Sequence, residues 1–175
     1  MLRARRKSPS PRYIAFAAIS IDGRISLAKD RLPDWTSKED KKFFQTSLAH
    51  CDAVIVGRNT YYAAAARLRR RITYVLTSRV SRPQKRGSVT FVNPAITDIA
   101  PLLSVHRNVA ILGGAAVYQY MLERDLLHEF YITVEPLLFG RGIPLLVGGT
   151  SMHTLRLLSV RKLNSRGTLL LHYKA

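Results

Sequence analysis

Apolar residues recur along the chain in two rhythms. Short runs rich in Val, Ile, Ala and Tyr predict strands over 12–19, 52–57, 72–77, 88–92, 108–112, 128–135, 153–163 and 167–173. Several of these are apolar without interruption, the pattern of strands covered on both faces. Helical spacing between them predicts helices over 37–49, 59–66, 97–103 and 115–124. Thr36 or Ser37 can cap the first helix, and Glu39 and Asp40 stand in its first turn near the positive end of the dipole. Phe43, Phe44 and Leu48 form the face that this helix can lay on a sheet. Strands alternating with helices predict an α/β fold with a largely parallel sheet. The last two strands differ: Asn164 to Gly167 reads as a hairpin turn, so the sheet is expected to be mixed, with an antiparallel C-terminal edge.

Two strand ends run straight into glycine and then into a helix. Asn108–Leu112 meets Gly113 and Gly114, and Asp52–Val56 meets Gly57, Arg58, Asn59 and Thr60. Free backbone N–H groups at a helix start, with no Cβ in the way, make an anion site. A tight βα turn alone would explain either junction; the pair suggests a phosphate-bearing cofactor. The polar stretch from Ser20 to Trp35 is long for a connection in such a fold, and long loops often cover sites. The loop from Pro136 to Gly149 is expected to pack its apolar side chains and to form a pocket wall or an oligomer contact.

A chain of 175 residues suits one domain, here placed at 12–175, after a basic flexible arm over 1–11. No apolar run is long enough to span a membrane, and the N-terminus lacks the apolar core of a secretory signal. The single cysteine, Cys51, lies beside a buried strand pattern and suggests inert packing; a cytoplasmic location is expected. The formal charge of +17 suits anionic small molecules as well as nucleic acid. The basic clusters near 67–71 and 79–86 flank a strand instead of lining one helix face, and there is no zinc-finger spacing or single-strand-binding aromatic motif, which argues against a nucleic-acid partner.

Six segments, in order, resemble the dihydrofolate-reductase-like superfamily, and most closely the riboflavin-biosynthesis reductase (RibD C-terminal) domain family. They are Ala17–Ile25, Leu32–Ser37, Asp52–Tyr61, Tyr74–Arg79, Ala110–Tyr118 and Phe130–Gly140. The resemblance covers about residues 12 to 173. It implies a three-layer fold with a mostly parallel mixed central sheet and a C-terminal antiparallel hairpin, binding NADPH in an extended cleft. It also implies that Gly57, Arg58, Asn59 and Thr60 form a cofactor-phosphate turn. Thr77, Ser78 and Arg79 would meet the adenosine 2′-phosphate, where two hydroxyls and a guanidinium suit a terminal phosphate. Gly113, Gly114, Ala115, Ala116, Val117 and Tyr118 would form the pyrophosphate site, with core packing an equal role for Tyr118. Ala18, Asp22 and Gly23 would border the nicotinamide.

For the substrate, Asp40 resembles the acid that holds a pterin ring in dihydrofolate reductases, and Thr133 the threonine that supports it; both are candidate catalytic residues. Asp40 could equally be a helix-start charge. Trp35, Thr36 and Ser37 match a segment found in the riboflavin-pathway reductases, with Trp35 able to stack on a heteroaromatic ring, and Asp34 beside them is the acid candidate behind Asp40. Those reductases carry an aspartate-aspartate-proline segment after the phosphate turn, where this chain has Tyr62–Ala66. The expected function is therefore metal-free, NADPH-dependent reduction of a pteridine-like or related nitrogen heterocycle, by a homodimer. The alternatives are reduction of a ribosylamino-pyrimidinone phosphate to its ribitylamino form, and a non-enzymatic nucleotide- or nucleic-acid-binding protein.

Overall fold

The computed structural model describes residues 10–28, 33–149 and 151–175. Its strands are β1 (Arg12–Ser20), β2 (Arg24–Ser26), β3 (Ala53–Gly57), β4 (Ile72–Leu76), β5 (Gln84–Arg86), β6 (Val89–Val92), β7 (Asn108–Ile111), β8 (Glu129–Glu135), β9 (Ile143–Pro144), β10 (Arg156–Lys162) and β11 (Leu169–Lys174). The helices are α1 (Lys38–Ala49), α2 (Arg58–Leu68), α3 (Ala100–Leu103) and α4 (Ala115–Glu123). Nine strands form one sheet in the order β10-β11-β8-β1-β7-β3-β4-β6-β5. From β8 to β6 neighbouring strands run parallel. β11 and β10 close one edge antiparallel, as expected, and Gly167 donates its N–H to the Asn164 carbonyl in the hairpin turn. β5 adds an antiparallel strand at the other edge.

Alternation along the central strands divides the core in two. Tyr13 and Ala15 of β1 join α4 residues such as Val117 and Met121 on one face. Ile14 and Phe16 join a second core, against which Phe43, Phe44 and Leu48 of α1 pack on the opposite face. This is the α/β fold that the pattern predicts, in the three layers that the resemblance implies. α1 starts where the sequence places it, with the Ser37 hydroxyl accepting from the Asp40 N–H at 3.2 Å. Cys51 is buried in the second core.

Several expectations need adjustment. α3 is shorter than 97–103, because residues 93–97 close a turn on the Asn93 carbonyl and Asp98 accepts the Ala100 N–H. β2 and β9 were not expected; they pair as a small second sheet that ties the loop after β1 to the loop after β8. Gly142 permits that approach, since a Cβ there would collide with the Ser26 carbonyl. The loop from Pro136 to Gly149 packs its apolar side chains only in part: Leu138 is 74% exposed, because its neighbours bond inward through their backbone instead. Residues 1–9 of the expected arm lie outside the described residues, and Pro11 already packs within the domain. No helix among the described residues is long and apolar enough to cross a membrane.

Candidate functional site

A cleft of about 1240 Å³ opens at the carboxyl ends of the parallel strands, where ligands of open α/β sheets bind. One half is built from the two strand–glycine–helix junctions. Gly57 caps α2 and Gly114 caps α4, both with extended backbone and neither with a side chain bonded into the helix start. The junctions touch, the Gly57 N–H donating to the Gly113 carbonyl at 2.7 Å. Their N–H donors and dipoles therefore converge on one stretch of wall. Arg58, Asn59, Thr60, Ala115, Ala116 and Val117 line it.

The three glycines are not equivalent. A Cβ on Gly57 would meet Val117 Cγ2 at 3.2 Å, so this glycine lets β3 approach α4. Gly113 has φ +80° and lies over the Tyr118 ring, where a Cβ would fall 2.7 Å from Cε2. Gly114 has its open side on the cleft, with only Thr60 Oγ1 within 4 Å, at 3.6 Å. Tyr118 borders the cleft but packs in the core, its hydroxyl donating to the Phe16 carbonyl at 2.5 Å. Burial pushes that phenol well above its ordinary range.

Thr77 and Ser78 line the far end of this half, at the end of β4. Thr77 is nearly buried and its hydroxyl oxygen accepts the Arg79 N–H at 3.2 Å. Arg79 itself is exposed just outside the wall. The Arg58 guanidinium lies 6.0 Å from the Tyr62 ring centroid.

The other half lies between β1, β8 and α1. Ala18 lines it, whereas Asp22 and Gly23 do not. Asp22 instead clamps two loops: its carboxylate accepts from the Ser20 hydroxyl at 2.6 Å, the Phe139 N–H at 3.0 Å and the Gly140 N–H at 2.8 Å. The Ser20 bond, followed by these amides, pulls the carboxyl down to about 2. Gly23 turns the chain at φ +74° with its N–H on the Ser20 carbonyl. Asp34 and Thr36 line the cleft, Ser37 caps α1, and Trp35 packs edge-on to Phe139 with ring centroids 5.0 Å apart.

Asp40 and Thr133 come together on the cleft wall, 8% and 2% exposed. Burial raises the Asp40 carboxyl above its ordinary value, the neighbouring Thr133 and Thr36 hydroxyls act to lower it, and the charge of Glu135 raises it again. The geometry thus gives a buried carboxyl on the cleft wall with two threonine hydroxyls beside it, and burial makes it hold a proton more tightly than an exposed aspartate does.

The sequence did not single out several residues that shape this half. Tyr131 lines the cleft within a column of rings, 5.5 Å from Phe16 and 4.0 Å from His172, both nearly parallel. Lys41, Arg67 and Arg71 bring cationic side chains to the wall between α1 and α2, with Arg71 Nη1 donating to the Leu48 carbonyl at 3.1 Å. In sequence the two arginines belong to the basic cluster near 67–71 that flanks a strand. Glu135, 3% exposed, carried no signal beyond being polar at a strand end.

Residues 11–169 match the model of the RibD C-terminal domain. The chain is 29% identical to the Bacillus subtilis protein YwjB, described as uncharacterized, over 91% of this chain and 95% of that one. It is 29% identical to an Aedes albopictus dihydrofolate reductase over 70% of this chain and 72% of the other. Among solved structures it resembles Acinetobacter baumannii RibD with a TM-score of 0.77 and 19% identity, covering 94% of this chain. It spans 58% of the length of that RibD chain.

Proposed function

Because the chain belongs to the RibD C-terminal domain family, we propose that it is an NADPH-dependent reductase of a pteridine-like or related nitrogen-heterocyclic small molecule. The observation that carries this reading is a single cleft joining two uncapped helix starts to a buried carboxyl–threonine pair. At about 1240 Å³ the cleft exceeds the roughly 300–1,000 Å³ typical for one small ligand, which suits a cofactor and an acceptor side by side. The 29%-identical dihydrofolate reductase supports the same chemistry.

The cofactor half fits a dinucleotide phosphate. Gly114 leaves the approach to the α4 start open, and the N–H groups at both helix starts offer donors. Thr77 and Ser78 on the wall, with Arg79 beside them, suit the additional phosphate of NADPH over NADH. NADPH, when bound, supplies the hydride. The chain's own part is positioning and proton handling. Asp40 presents its carboxyl oxygens to the ring nitrogens of the acceptor, and Thr133 fixes their orientation. Its raised proton affinity lets Asp40 hold a proton for a ring nitrogen at a pH where an exposed aspartate is ionised. Phe16, Phe43 and Tyr131 supply apolar and aromatic surface for a planar ring.

A second reading, reduction of a ribosylamino-pyrimidinone phosphate, is favoured by the family match and by Lys41, Arg67 and Arg71 on the wall. These cations suit an acceptor that carries an anionic group. Titration of NADPH and NADH into wild type and R79A tests the cofactor, and steady-state reduction of dihydropteridines and of the ribosylated compound tests the acceptor. We expect tighter binding of NADPH, with a loss of about tenfold in R79A and little change for NADH. Equal affinity for both nucleotides, unchanged by R79A, would overturn the cofactor assignment.

A further inference from the structure

Glu135 ends β8 in register with Ser20 of β1, and both its carboxylate oxygens are taken by neutral donors. Oε1 accepts the Ser37 backbone N–H at 2.6 Å, and Oε2 accepts the Thr168 hydroxyl at 2.6 Å. Ser37 is the cap of α1, and its hydroxyl accepts the Asp40 N–H. A carboxylate rooted in the sheet therefore grips the residue that caps the turn carrying Asp40. A second tie reaches the same turn from the hairpin: Asn164 Nδ2 donates to Glu39 Oε2 at 3.2 Å and to Thr168 Oγ1 at 2.9 Å, and Asn164 Oδ1 accepts the Thr168 N–H.

Thr133 lies two residues before Glu135 on β8 and so projects from the same face of the strand. Thr133 lies beside the Asp40 carboxyl on the cleft wall, Glu135 sets a like charge near it, and Lys41 acts as an opposing charge. Burying a carboxylate among neutral partners is costly; its charge strengthens the two short bonds to Ser37 and Thr168 and also acts on Asp40.

We propose that Glu135 is a positioning residue for Asp40: its bonds to Ser37 and Thr168 fix the first turn of α1 against the sheet, with the Asp40 carboxyl on the cleft wall and the Glu135 charge on the strand face that Thr133 shares. This rests on the reading of Asp40 as the acid that meets the acceptor, and refines it. E135Q keeps an oxygen for the Ser37 N–H and removes the charge, whereas E135A removes both.

The test is a carbon-13 NMR titration of aspartate-labelled wild type and E135Q, with D40N identifying the Asp40 signal, alongside pH–rate profiles. In E135Q, Asp40 should titrate at lower pH than in wild type, and the limb of the profile that it governs should move the same way. In E135A, kcat/KM should fall by about tenfold or more, with NADPH affinity unchanged. An Asp40 titration identical in wild type and E135Q overturns the proposal, as does full turnover in a folded E135A. If E135A does not fold, the E135Q titration still decides. If D40N keeps full turnover, Asp40 loses its role toward the acceptor, while the NMR titration separately answers whether Glu135 governs its proton.

Discussion

Replacing Asp40 by Asn distinguishes an acid kept for chemistry from a charge kept for a helix. Burial holds the Asp40 carboxyl above its ordinary range, despite the Thr133 and Thr36 hydroxyls. The folded protein thus binds this proton more tightly than the unfolded chain does. The resulting stability is fully present below the unfolded value of 3.8 and is lost as pH rises through the raised folded value. At neutral pH wild type carries the cost of an ionised, buried carboxylate, at about 1.36 kcal/mol per unit of displacement. D40N removes that cost and keeps a carbonyl oxygen for one threonine. It gives up the favourable interaction of a charge in the first turn of α1, about 0.3–1 kcal/mol. Burial is the largest influence on this carboxyl, so we expect a net gain in stability at pH 7. In a domain of this size each kcal/mol gained raises Tm by about 2–4 °C. The gain should vanish or reverse near pH 3, where the wild-type carboxyl is protonated. Reduction of the acceptor should fall sharply in the same variant, the exchange of stability for activity expected of a site residue. Thermal unfolding at several pH values, paired with steady-state turnover, reads both. A D40N protein that melts lower at pH 7 and turns over normally would show that Asp40 is a helix-start charge, and the burial reasoning would be wrong.

G113A places a Cβ at φ +80° against the Tyr118 ring, costing about 1–2 kcal/mol in backbone conformation. It also disturbs the Tyr118 bond to the Phe16 carbonyl, and calorimetry should show a Tm lower by about 5–15 °C. Asp22 titrates near 2, below its unfolded value, so its stabilising contribution is present above about 4 and lost as pH falls through about 2. D22N should abolish that acid dependence and speed hydrogen exchange at the Phe139 and Gly140 amides; unchanged exchange would refute the clamp.

The parts of the fold legible in the sequence are those whose signal is local. β3 and β7 lie inside the sheet, so their buried residues form continuous apolar runs. α1 announces itself through Ser37, its acidic first turn and the Phe43–Leu48 face. β2, β5 and β9 span three residues or fewer and show no periodicity. The candidate site divides in the same way. Each strand–glycine–helix junction sits within a few consecutive residues and could be read directly. The Glu135 bonds cross 98 residues to Ser37 and 33 to Thr168, and no pattern along the chain encodes such pairings. Asp22, matched to the cofactor loop, turns out to hold two loops together because Phe139 and Gly140 arrive from the far side of the chain.

The glycines show how one residue type can carry two messages. At a strand-to-helix junction glycine suggests phosphate, because a missing Cβ opens the helix start. The same absence also lets β3 press against α4 at Gly57 and lets the chain turn over Tyr118 at Gly113. At Gly113 the fold alone requires glycine and at Gly57 the close packing favours it, so neither can by itself witness a ligand. Gly114 is different. Its φ of −71° suits any residue, and a Cβ there would make only an ordinary contact with Thr60 Oγ1. Neither left-handed backbone nor crowding by the surrounding side chains accounts for glycine at 114. The cleft lies on its free side, and the proposal of an anion at this junction rests on that position together with the two helix starts beside it, neither of which has a side-chain cap.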